Sequence, residues 1–127
     1  METKELLLDA YSHIRRIVHQ AADGLSVEQL AYRPEEGSNS IAWLVWHLTR
    51  IEDSHLSAVT QLDEAWSTDG WDDRFGLGGT TSIGFGDGPE QVASLRPEGD
   101  FLLGYHDYVN GRVLSYMDRV DAVELDR

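Results

Sequence analysis

Cysteine is absent from the 127 residues, which excludes disulfides, zinc–thiolate sites and a thiol nucleophile belonging to the chain itself. That absence suits a reducing compartment, and a cytoplasmic location is expected. Basic residues are scarce. Ten Lys and Arg stand against 23 Asp and Glu, for a net charge of −13. Residues 1–60 carry −4 of this and residues 61–127 carry −9. Such a field repels phosphate backbones, so no nucleic-acid partner is expected. A solvated acidic surface is the simpler meaning of the charge. Long hydrophobic runs are missing too. Leu6–Leu8 is flanked by Glu5 and Asp9 and is too short for a signal peptide. Nothing approaches the roughly 18 apolar residues of a membrane span. A soluble protein with no membrane partner is expected.

Familiar catalytic motifs are also lacking. There is no HExxH, no GxSxG, no Walker loop and no GxGxxG set between a strand and a helix. The GLGG and GFGDG runs have no strand before them and no Lys after them.

What is present is helical periodicity. The length fits one domain over residues 1–127, large enough to fold without staples. Leu7, Tyr11, Ile14, Val18 and Ala21 recur at steps of three and four, which predicts a first helix over residues 2–22. Asp23-Gly24 is its stop. Ser26 opens a short turn with Gln29 three residues on, and Arg33-Pro34 closes it. Ser38, Asn39 and Ser40 are all good N-caps for the strongest helix, Ile41 to about Gln61. Its stripe runs Ile41, Leu44, Val45, Leu48, Ile51, His55, and Glu52 and Asp53 are expected to face water.

Seven of the twelve glycines then fall between Gly70 and Gly88, where regular helix is not expected. The same stretch holds Trp66, Trp71, Phe75, Leu77, Ile83 and Phe85, which a disordered linker would lack. A long ordered loop over residues 62–88, anchored on the bundle by these side chains, is expected. Pro89 opens a short helix that Arg96-Pro97 ends. A third long helix follows from Glu98 to about Val120, with Phe101, Tyr105, Val109, Tyr116 and Val120 on one face. Gly104 and Gly111 weaken it unless they allow close helix contact. The fold class is therefore all-α, a bundle with three long helices.

Five histidines are the residues best suited to chemistry: His13, His19, His47, His55 and His106. No two share the i, i+4 spacing of a helical metal pair. His47 falls beside Leu44 and Ile51 at the edge of the apolar stripe, next to Trp43. An imidazole there is a good ligand for zinc, nickel or iron, or else a half-buried side chain with a backbone partner. His106 lies on the flank of the third helix, as a surface or interface residue or as a second polar group facing the same cleft. His55 belongs to the stripe and is read as core or interface, and His13 and His19 as solvated. Trp43, Trp46, Trp66 and Trp71 are packing groups or parts of a ligand cage. Arg50 stands one turn from Trp46, free to stack or to pair with an acid.

The segment SNSIAWLVWHLTRIEDSHLSAV, residues 38–59, resembles the second helix of the DinB-like superfamily. Three further runs agree in order: WSTDGWDDRFGL at 66–77, TSIGFGDGPEQVASLRP at 81–97, and LLGYHDYVNGRVLSYMDRV at 102–120. They are most similar to the actinobacterial mycothiol-dependent transferases. The resemblance implies an up-down DinB-like bundle with an unusual crossover and a divalent metal, nickel or zinc. His47 would be one metal ligand, from the WHL segment. Two more would come from a final helix, from residues four apart, the second of them His. No such helix is legible here, so the fourth helix is expected to be missing or supplied by a partner. A shortened gene product, a completing partner chain and a loss of the metal all stay open. A homodimer closing the groove left between helices is expected.

The activity implied is thiol transfer. A metal lowers the pKa of a low-molecular-weight thiol co-substrate, of mycothiol or bacillithiol type, for attack on an electrophile. Trp43, Arg50, Tyr105 and His106 would contact the small-molecule substrate, Arg50 through a carboxylate. No catalytic acid, base or nucleophile is assigned. A non-catalytic small-molecule-binding or stress-related bundle and a structural dimer module are the alternatives.

Overall fold

Three apolar stripes at helical spacing have one economical solution, which is to face one another. In the computed structural model, which describes residues 3–78 and 80–120, they do so. The first long helix, α1, spans Thr3–Ala22. A single turn, α2, spans Val27–Ala31 and is fixed by a reciprocal cap. Ser26 Oγ accepts from the Gln29 amide at 3.1 Å, and the Gln29 side chain accepts from the Ser26 amide at 2.9 Å. The second long helix, α3, spans Ile41–Thr60. Of its three candidate caps, Ser40 is the one used, accepting from the Trp43 amide at 3.0 Å. It ends on Gln61, which takes the left-handed conformation at φ 61°.

The glycine-rich stretch departs from expectation. Two single-turn helices form in it, α4 over Ala65–Thr68 and α5 over Trp71–Arg74. Their existence depends on a tertiary contact that periodicity does not encode. The buried carboxylate of Asp53 accepts from the Ala65 and Trp66 amides at 2.9 and 2.8 Å, capping α4 from another element. Gly70, at φ 77°, makes the bend between the two turns. The rest of the described stretch is loop, as expected, followed by α6 over Pro89–Ser94 and α7 over Gly99–Arg119.

Helix α7 lies between α1 and α3. Lys4 Nζ donates to the Asp118 carbonyl at 2.6 Å and Asn110 Nδ2 to the Tyr11 carbonyl at 3.0 Å, so α1 and α7 are antiparallel. Thr49 meets His106 at 3.1 Å while Asp53 lies 3.9 Å from Arg112, so α3 and α7 run the same way. A 20-residue helix is about 30 Å long, and the chain must recover that distance before α7 begins. Residues 61–98 are this crossover, which gives their length a topological cause.

Burial on two sides widens the apolar face of α7 beyond the predicted stripe. Leu102, Tyr105, His106, Val109, Asn110 and Val113 are buried, while Phe101 is 37% exposed. Three further expectations are corrected. Asp53 is 1% exposed and does not face water. His55 is exposed, not core. Ala22, not Ala21, is the buried end of α1. Gly104 does allow a close approach, since a Cβ there would sit 3.1 Å from the Trp71 ring, whereas Gly111 meets open space. No helix among the described residues is long and apolar enough to cross a membrane.

Candidate functional site

The crossover is held against α3 by a buried polar hub. Arg50, 1% exposed, donates to Glu64 at 2.5 Å, to the Thr81 carbonyl at 3.0 Å and to the Ser82 carbonyl at 3.2 Å. Its guanidinium lies 4.9 Å over the Trp66 ring. Asp53 stands one turn further along α3. Besides capping α4, it accepts from the Tyr105 hydroxyl at 2.8 Å. Burial, and then the Asp53 charge, push the Tyr105 phenol far above its ordinary range, so it stays protonated. The Trp66 indole donates to the Thr80 carbonyl at 2.8 Å. Three residues that the sequence assigned to a substrate, Arg50, Tyr105 and His106, thus lie beneath the surface. A ligand reaching Arg50 would have to displace Glu64 and two backbone carbonyls.

His106 sits deeper still, with no exposed surface. The Thr49 hydroxyl donates to the Val45 carbonyl at 2.7 Å, so its oxygen is free to accept from His106 Nδ1 at 3.1 Å. Nε2 is then an acceptor without a partner among the described residues. Burial lowers the ring pKa to about 4, which keeps it neutral near pH 7.

His47 is placed differently. It is half-buried on α3 at the edge of the bundle. Trp43 stacks on its face at 4.5 Å between centroids and 20° between planes. Phe85 meets its edge at 5.5 Å. The Trp43 indole donates to Asp87 at 2.9 Å, tying this stack to the crossover. His47 Nδ1 lies against the Ile83 carbonyl oxygen. A carbonyl can only accept, so the neutral ring carries its proton on Nδ1 and presents the Nε2 lone pair. Fixing one ring nitrogen on a backbone carbonyl is how proteins orient a ligating imidazole. It is equally the backbone partner that a merely packed histidine would find.

Gly84 makes the clasp possible. Its φ is 101°, and a Cβ would fall 2.7 Å from His47 Nδ1 and 3.1 Å from both Trp43 and Trp46. Among the groups that sequence reasoning missed, Gly84 and the Ile83 carbonyl had a visible signal in the SIGFG run. Asp53 had one too, since it sits three residues from Arg50 on the same helix. Phe85, expected to be a packing anchor, is 76% exposed beside the imidazole.

The sequence pattern of the DinB superfamily matches residues 10–127. The chain belongs to the DinB superfamily. No curated protein matches it. Among solved structures, one described as the conserved protein of locus from Enterococcus faecalis superimposes with a TM-score of 0.85 at 22% identity. The match covers 95% of this chain and 72% of that one, and at such identity it shows the shared fold alone. The DinB frame thus accounts for the long helices and the crossover, while the chemistry must be argued from the residues.

No three His, Cys, Asp or Glu side chains gather into a metal site among the described residues. His47 stands without a second protein ligand there. The described residues therefore do not fit a divalent metal on their own, since protein metal centres draw on three or four ligands.

Proposed function

We propose that this DinB-superfamily chain is a thiol-transferase-type protein in which His47 is the one metal ligand that residues 3–120 provide. The observation supporting it is the clasp. An imidazole held by Ile83 through Nδ1, and walled by Trp43 and Phe85, keeps Nε2 oriented and partly shielded from water. Further ligands would come from outside the described residues, either within the protein or from a partner copy. Nickel or zinc is the metal this reading takes, and a low-molecular-weight thiol its co-substrate. Trp43 and Phe85 would meet the small-molecule substrate. Arg50, Tyr105 and His106 would act from behind, keeping the crossover and α3 in register.

The test is metal content with oligomeric state. The protein is incubated with nickel or zinc, freed of excess metal, and examined by elemental analysis and light scattering. Stoichiometric metal that disappears in His47→Ala and persists in His55→Ala supports the reading. So does turnover of a low-molecular-weight thiol with an aryl halide that vanishes in the same variant. Metal-free protein under all these conditions would overturn it, in favour of a non-catalytic small-molecule-binding bundle or a structural dimer.

A further inference from the structure

Beside the His47 surface, α3 also walls a cavity of about 460 Å³ between α1 and α7. Its walls include Tyr11 and Ile14 of α1, Leu48 and Ile51 of α3, and Tyr116 and Met117 of α7. His47 is not among its lining residues. The volume is that of a small-molecule site, and the lining is mostly apolar, as such sites are. One carboxyl breaks the apolar lining. Glu52 of α3 opens onto the cavity, and its Oε2 is buried with no hydrogen-bond partner among the described residues.

A desolvated carboxyl without a donor costs stability unless something else is gained. Among the described residues Glu52 forms no salt bridge, and no cation there offsets its burial. Burial alone raises its pKa from 4.5 to about 7. The phenols Tyr11 and Tyr116 stand in the same walls. A carboxylate at depth flanked by aromatic rings and aliphatic side chains is the chemistry that recognises an ammonium group on an apolar body. The net charge of −13 favours the approach of such a cation.

We infer that the cavity between α1, α3 and α7 binds a small apolar ammonium ligand, its body against Leu48, Ile51 and Met117 and its charge on Glu52. The inference does not depend on His47. His55 also lines the cavity and is exposed.

The experiment compares three probes of one shape, phenethylamine, phenethyl alcohol and 3-phenylpropionate, by calorimetry and by chemical-shift mapping at pH 8. The expected order is amine first, alcohol second and carboxylate last, with shifts at Tyr11, Ile51 and Met117. Glu52→Gln is isosteric and removes a buried charge, so it folds. It should weaken the amine at least about tenfold and leave the alcohol unchanged. Met117→Trp, which fills the cavity, should weaken both amine and alcohol, and His47→Ala neither. Equal affinity for all three probes, amine binding indifferent to Glu52→Gln, or a cavity closed by a second copy so that no probe enters would each overturn the inference.

Discussion

Removing the Asp53 carboxylate should loosen the crossover and cost the fold heavily. In Asp53→Ala, the Ala65 and Trp66 amides and the Tyr105 hydroxyl lose their acceptor, each of them previously within 2.9 Å. Arg50 and Arg112 lose a counter-charge 3.9 Å away. An orphaned buried donor costs about 1–3 kcal/mol, and breaking a buried ionic contact costs about 3–5 kcal/mol. These costs overlap, because Arg50 keeps Glu64 and two carbonyls. A loss of about 4 kcal/mol is expected, a large share of the roughly 5–15 kcal/mol of a typical domain. Asp53→Asn keeps one acceptor oxygen but turns an amide toward donors, so about half that loss is expected. Urea unfolding gives the number through a lower midpoint at unchanged slope. Hydrogen exchange reports the place, with the Ala65 and Trp66 amides losing protection first. A loss below about 1 kcal/mol with both amides still protected would mean that Asp53 is solvated and that something else holds the crossover.

Three other perturbations probe separate contacts. Gly84→Ala should dislodge the His47 clasp, because its Cβ would sit 2.7 Å from Nδ1 at a φ of 101°. A stability loss of about 2 kcal/mol with shifted Trp43 and His47 resonances checks this, and an unmoved His47 ring would refute it. His106 carries a linkage of known sign. Its folded pKa of about 4 lies below the ordinary 6.5, so unfolding takes up a proton between these values. Stability should fall by about 3 kcal/mol as pH drops from about 6.5 to 4, and His106→Gln should flatten that limb. Glu52 runs the other way. Its carboxyl is raised by burial from 4.5 to about 7, so the folded state holds the extra proton, and its contribution fades as pH rises through that window. Glu52→Gln should stabilise the protein above pH 7 by about 2 kcal/mol, discounted for partial exposure. Because the two slopes oppose, the parent's profile should be flat near pH 5 to 6, and only the single variants reveal them.

How much of this was legible from residues follows the range of the interactions. The helices α1, α3 and α7 announce themselves because a stripe of side chains at 3.6-residue spacing is a local pattern. Ser26 with Gln29, and Ser40 before Trp43, are likewise local. The single turns α4 and α5 were not legible, because Asp53 caps α4 from a dozen residues away. The fate of Asp53 was misjudged for the same reason. Mid-helix acids ordinarily face water, and only the crossover folding back over α3 buries this one. The half-buried position of His47 at the edge of the core was legible from its helical spacing. Its clasp by Ile83 and Gly84 required the path of a loop that no periodicity describes.

The account depends most on which nitrogen of His47 is free. Long-range nitrogen–proton spectra of the imidazole, recorded near neutral pH and again with zinc, read this directly. The expected result is a proton held on Nδ1, with Nε2 shifting alone when zinc is added. A ring protonated at Nε2, or one rotating freely and indifferent to zinc, would contradict the account.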